Sequence, residues 1–207
     1  MKQCVIFCAG EFSGLLQPIP ADSFVIAADG GFAHTQALGL LPDLILGDFD
    51  SLGHIPPGAE VHPVEKDDTD SMLAIKKGLA LGCDTFLLYG SLDGPRLDHT
   101  MANFQALQYL ADRGCRGWLI GNRQIVTLIK DGCVRLPAGS RGYFSVFCLG
   151  EDARGVSIRG AKYALEDGEL SAGFPLGVSN QFLGSDVHVD IKKGSLLLIW
   201  DRENGIW

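Results

Sequence analysis

The stretch TFLLYGSLDGPRLDHTMANFQALQYLADRG, residues 85–114, decides the fold. Thr85–Tyr89 is a continuous apolar run, the pattern of a strand buried on both faces. Leu97, Met101, Phe104, Leu107 and Leu110 then recur at helical spacing, which predicts a helix over Leu97–Arg113 stopped by Gly114. Toward the N-terminus the alternation repeats. Strand-like runs at Gln3–Ala9, Ser23–Ala28, Leu44–Gly47 and Val61–Val64 are interleaved with helical patterns at Gly31–Leu38 and Thr69–Leu81. Strand–helix alternation predicts an α/β fold with a largely parallel sheet flanked by helices.

Toward the C-terminus the character changes near Arg116. Ile125–Ile129, Tyr143–Leu149, Val156–Ile158, Val187–Ile191 and Leu196–Trp200 are β-type runs separated by Gly, Pro, Asp or Asn, and no long amphipathic helix intervenes. A smaller C-terminal antiparallel β-sandwich is expected, with the α/β domain over residues 1–122 and the sandwich over residues 123–207.

The 207 residues fit one large domain or two modest ones, and 46% hydrophobic against 20% charged residues supports a real core. A formal net charge of −8 without any Lys/Arg-rich run argues against nucleic-acid binding. Nothing approaches the roughly 20 apolar residues of a membrane span. The apolar run Cys4–Gly10 reads as a buried first strand rather than a signal peptide, since Glu11 follows it directly. Six scattered cysteines without a CxxC pair read as reduced core residues, which together predicts a cytoplasmic protein.

Common nucleotide and hydrolase motifs are missing, but aspartate is abundant, 18 Asp against 7 Glu. The aspartates gather in Asp29-Gly30-Gly31, Gly47-Asp48-Phe49-Asp50-Ser51, Lys66-Asp67-Asp68-Thr69-Asp70 and Arg96-Leu97-Asp98-His99. In an extended backbone Asp48 and Asp50 point to one side, and such a pair needs a cation at neutral pH. Short carboxylates suit Mg²⁺ completed by substrate phosphate; a solvated turn is equally open for this pair alone. Asp68 or Thr69 serves as an N-cap and Asp70 sits in the first turn, ordinary helix chemistry to which metal ligation and a phosphate contact from Lys66 can be added. Arg96 at a helix start offers an anion site, Asp98 a cap or a chemical role, and His99 a supporting hydrogen bond. Gly30 and Gly31 allow backbone N–H groups close to a nucleotide, or make a plain turn. All four segments fall at successive strand-to-helix junctions, the edge where open α/β sheets bind ligands.

In order and spacing these segments, with Gly177-Val178-Ser179-Asn180 much later, resemble the motif set of thiamin pyrophosphokinases over residues 1 to about 200. The resemblance implies ATP-dependent transfer of pyrophosphate to the hydroxyl of thiamin, giving thiamin diphosphate and AMP. It also implies Mg²⁺, a nucleotide-binding first domain, a thiamin-binding sandwich, and a homodimer with thiamin between subunits. Asp29, Asp48, Asp50, Asp68 and Asp70 match the family's acidic nucleotide–magnesium site, Arg96 and Asp98 its RxDH element, and Ser179 and Asn180 the segment near thiamin.

The expected assignment puts Asp48, Asp50 and Asp70 on metal, Lys66 and Arg96 on phosphate, and Asp98 as base or orienter of the hydroxyl. Trp200, two or three residues past the aligned position of the family's stacking tryptophan, is either that residue or a core aromatic of the last strand. Two rival readings remain at this point: the same chemistry on another alcohol such as a pterin, and a nucleotide-sensing module without turnover.

Overall fold

The computed structural model describes residues 2–50 and 52–206, so Ser51 of the GDFDS motif lies outside the described residues. The chain divides into two compact units. The first runs to Ala106 and includes Gly114–Asn122; the second comprises Leu107–Arg113 and the chain from Arg123 onward.

The first unit holds six strands and most of three helices. In chain order they are β1 (Gln3–Phe7), β2 (Phe24–Ala28), α1 (Gly31–Ala37), β3 (Leu44–Gly47), β4 (Glu60–Val61), α2 (Asp70–Ala80), β5 (Thr85–Tyr89), α3 (Leu97–Ala111) and β6 (Arg116–Ile120). The strands are parallel in the order β6-β5-β1-β2-β3-β4. Their apolar side chains explain the arrangement, because Cys4, Val5, Ile6 and Phe7 of β1 are all fully buried. Phe7 pairs with Ala27 on one side and Tyr89 on the other, so the strands end level and deliver their following loops to one edge.

Sequence and structure differ at two strands here. The expected Val61–Val64 strand shrinks to Glu60–Val61: His62 N–H still donates to Gly47 O, but Pro63 has no N–H with which to continue. The change of character expected near Arg116 also comes one strand late, since Arg116–Ile120 pairs in parallel with β5. Thr69 is the N-cap of α2, its Oγ1 accepting from Met72 N at 3.2 Å. Ala74, Ile75 and Gly78 of that helix are buried, and a Cβ on Gly78 would sit 2.6 Å from the Phe86 ring.

The strands of the second unit form two antiparallel groups. One is built from β7 (Gln124–Lys130), β9 (Tyr143–Cys148), β12 (Asn180–Gln181) and β14 (Ser195–Asp201), in the order β12-β9-β14-β7. The other is built from β8 (Cys133–Leu136), β10 (Ala153–Arg159), β11 (Leu165–Leu170) and β13 (Val187–Asp190), in the order β11-β10-β13-β8. In β13, Val187 and Val189 are buried while His188 is exposed, the alternation of a half-buried strand. Strands β8 and β11 escape the sequence pattern because one is short and the other, LEDGEL, is mostly polar.

Among the described residues no helix is long and apolar enough to cross a membrane. None of the six cysteines is in a disulfide; Cys4, Cys8 and Cys83 are core residues as expected, but Cys133 is exposed on an edge strand.

Candidate functional site

Three carboxylates converge at the level strand ends. Asp29 follows β2 directly, and Asp48 and Asp50 follow β3. One oxygen from each lies within 4.8 Å of the others. The local backbone achieves this at some cost. Asp29 is left-handed (φ 48°), and Gly47, at φ 149°, passes so close that a Cβ there would lie 3.0 Å from the Asp29 Cα. Phe49 is also left-handed (φ 59°) with its ring in the core, so Asp48 and Asp50 share a side through a tight turn rather than the expected extended strand. Asp50 N–H closes that turn onto Asp48 Oδ1 at 3.4 Å.

Asp29 is only 7% exposed, and among the described residues its Oδ1 has no hydrogen-bond partner. A buried carboxylate oxygen left unsatisfied is costly unless a cation or ordered water completes it. The donor set is all oxygen, which suits a hard divalent cation such as Mg²⁺. The residues present therefore fit that ion; the grouped oxygens are those of Asp29, Asp48 and Asp50, and the expected ligand Asp70 stands beside them at Lys66.

Asp70 joins the cluster through Lys66. The Lys66 ammonium lies 2.6 Å from Asp48 Oδ2 and 3.3 Å from Asp70 Oδ1, and also donates to Pro63 O at 3.1 Å. Burial pushes the Asp70 carboxyl above its ordinary range, more than Lys66 draws it down, and the negative charges of Asp48 and Asp29 add to the rise. Asp48 is shifted the other way: burial opposes its charge, but hydrogen bonds from Lys66 and from the Asp50 backbone outweigh that and hold it below the usual carboxylate range.

The other nominated residues are placed less directly. Asp68 turns to the helix surface, where both its oxygens accept from Lys76 at 2.7 and 2.6 Å. Thr69 is occupied as the cap of α2. Arg96 and Asp98 pair with each other at 2.6 Å on an open surface, their side chains 64% and 65% exposed. That contact holds the Asp98 carboxyl below its usual range. His99 is exposed. Gly30 is the N-cap of α1 without a side-chain cap, and a Cβ on Gly31 would collide with the Phe7 carbonyl oxygen, so glycine here serves helix–strand packing.

A polar relay behind the site went unnoticed in the sequence. Thr69 Oγ1 contacts Ser71 Oγ at 3.0 Å, Ser71 donates to Asn103 Oδ1 at 2.9 Å, and Asn103 Nδ2 donates to Ser91 O at 2.7 Å. It ties the start of α2 to α3 and to the loop after β5. Asn103, buried within an otherwise periodic apolar helix, was the available signal.

In the second unit, Asn180 is buried and engaged inward: Oδ1 accepts from Tyr163 N and Gln181 N, and Nδ2 donates to Tyr163 O. Ser179 is exposed and left-handed (φ 56°). Trp200 is 1% exposed and its indole N–H donates to Gly205 O at 2.9 Å. Its burial matches the second of the two expected roles, a core aromatic of the last strand.

Comparison with known proteins bears on the chain as a whole. A family described as "Thiamin pyrophosphokinase, catalytic domain" matches residues 16–119, and "Thiamin pyrophosphokinase, vitamin B1 binding domain" matches residues 134–196. The chain is similar to the thiamine pyrophosphokinase of Bacillus subtilis (strain 168), 27% identical over 183 residues that cover 84% of this chain and 85% of the relative. Its fold is similar to the crystal structure of thiamine pyrophosphokinase from Bacillus subtilis, with a TM-score of 0.84 at 25% identity over 96% of this chain and 98% of that one. The thiamin pyrophosphokinase from Candida albicans, at 15% identity, shares the fold with a TM-score of 0.74 over 97% of this chain and 88% of its own.

Proposed function

The chain belongs to the thiamin pyrophosphokinase family, and on that premise we propose that it transfers a pyrophosphoryl group from ATP to the hydroxyl of thiamin, releasing AMP. The observation that carries the reading is the convergence of Asp29, Asp48 and Asp50, with a buried Asp29 oxygen lacking any partner among the described residues. Those three carboxylates would hold Mg²⁺, which would supply charge neutralisation for the transferred group.

The protein's own residues do the rest. Lys66 and Arg96 hold phosphate oxygens, and Asp70 completes the acidic wall next to Lys66. Asp98, kept ionised by Arg96, accepts a hydrogen bond from the attacking hydroxyl and orients it. Such transfer rests on positioning and charge stabilisation, so no covalent nucleophile is needed. The exposed Ser179 segment supplies the acceptor side, and the net charge of −8 favours thiamin's cationic ring.

A homodimer is part of this reading, supported by exposed Phe174, Leu176 and Val178 beside Ser179. A cytoplasmic location is supported by six cysteines that form no disulfide.

The test is a mass-resolved transfer assay with the purified chain, ATP, Mg²⁺ and either thiamin or a pterin alcohol. Thiamin diphosphate and AMP in equal amounts are expected. Formation of ADP, transfer only to the pterin, or nucleotide binding without any product would each overturn the proposal.

A further inference from the structure

Lys66 stands where a metal's charge is needed. Its side chain is 13% exposed, and its ammonium touches two carboxylates of the acidic wall, Asp48 at 2.6 Å and Asp70 at 3.3 Å. Asp48 is also one of the three carboxylates grouped for a cation. An ammonium bonded to Asp48 and a divalent ion on the same carboxylate repel each other strongly in a half-buried site. A metal arriving alone must either share Asp48 with Lys66 or expel it, and expulsion leaves a largely buried ammonium without its anions. A metal arriving with polyphosphate brings replacement anions for that ammonium. The four-carbon stem of lysine allows a shift of a few ångströms without backbone movement.

We infer that Lys66 is an exchangeable counter-ion. It neutralises Asp48 and Asp70 in the nucleotide-free protein and moves onto the phosphates when a metal–nucleotide complex enters, so that the cluster discriminates against free divalent cation. The inference rests on the metal–nucleotide part of the proposed function and leaves the acceptor open. It makes Lys66 a selector for the form in which the ion arrives, a role beyond holding phosphate.

Calorimetric titration of the nucleotide-free full chain with Mn²⁺, and separately with Mg²⁺ plus a non-hydrolysable ATP analogue, tests it for the wild type, Lys66→Met and Lys66→Arg. Lys66→Met is expected to bind Mn²⁺ alone about tenfold more tightly and the metal–analogue complex about tenfold more weakly, because an adjacent charge shifts cation affinity by about one to three decades. Lys66→Arg keeps the charge and is expected to stay near wild type for Mn²⁺ alone. Equal or weaker Mn²⁺ binding by Lys66→Met would make the lysine a scaffold element and overturn the inference. Tighter binding of both ligands would also overturn it, leaving plain repulsion with no phosphate contact.

Should Lys66→Met fail to fold, the wild type still decides. With ¹³C-labelled lysine, the Lys66 Cε signal, assigned by its loss in Lys66→Arg, is expected to hold still on adding Mg²⁺ and to shift with Mg²⁺ plus the analogue. The same shift with Mg²⁺ alone would overturn the inference. Exchange behaviour without thiamin diphosphate formation would sink the acceptor assignment only, whereas turnover with flat metal affinities would sink the inference only.

Discussion

Asp29, from the ordered motifs, and Trp200, set against the family's stacking tryptophan, are both almost entirely buried, at 7% and 1% exposure. They differ in their polar atoms. The Trp200 indole N–H is met by Gly205 O at 2.9 Å, whereas Asp29 Oδ1 has no partner among the described residues. The same contrast extends to their surroundings. Around Asp29, like charges crowd together and one ammonium is spread over two of them. Around Trp200 and Asn180, the side-chain groups described have donors and acceptors matched within the unit. Burial therefore separates nothing by itself, and neither does a lone unpaired atom, since among the described residues Gln3, Ser23 and Ser140 also carry one; what marks the candidate site is an unpaired carboxylate oxygen among converging carboxylates.

The sharpest way to break that contrast is Trp200→Ala. A packed tryptophan removed from a core costs about 3–5 kcal/mol, read as a drop in denaturation midpoint, while the folded fraction keeps its KM for thiamin. A raised KM with unchanged stability would instead return Trp200 to the ligand. On the opposite side, Asp50→Asn should leave the thermal midpoint in place and cut kcat by about 10²–10³-fold, the scale of losing one preorganised electrostatic contact. Near-normal turnover would remove Asp50 from the metal set.

Asn180→Ala tests the satisfied region at smaller scale. It strands Tyr163 N, Tyr163 O and Gln181 N without their side-chain partner, and should cost about 1–3 kcal/mol. If stability is untouched and only thiamin affinity falls, Asn180 belongs with the acceptor.

The contrast also explains what the sequence could convey. Continuous apolar runs such as Thr85–Tyr89 and the later part of α3, where Ala106, Leu107 and Leu110 are buried, were legible because burial dictates residue type there, whereas Leu97 and Met101 continue the period but are exposed. Gathering of aspartates at strand ends was legible because level parallel strands share one edge. Partnerships were not. That Lys66 reaches back to Asp48, 18 residues away, depends on where the loop after β4 carries it. That Asp68 is drawn off by Lys76 while Asp70 is not depends on the helical phase of α2. The polar β11 strand and the indole of Trp200 likewise took their roles from tertiary neighbours.

The smallest expected effect discriminates within the acidic wall itself. Burial raises the Asp70 carboxyl above its unfolded value, so the folded protein prefers it protonated. Its contribution to stability is thus intact below the unfolded pKa of about 3.9 and is lost as pH rises through the higher folded value. Asp48 runs opposite: its depressed carboxyl contributes stability above the unfolded value, lost as pH falls through the folded one. At pH 7 without metal, Asp70→Asn should therefore raise the thermal midpoint by about 1–3 °C, and Asp48→Asn should lower it. Below about pH 3 the Asp70→Asn difference should vanish. Magnesium with nucleotide should then stabilise the wild type more than Asp70→Asn, because the variant has given up the anion that made its metal-free state costly. A lower metal-free midpoint for Asp70→Asn at pH 7 would mean that Lys66 already satisfies Asp70, and would move that residue to the same side of the contrast as Asn180.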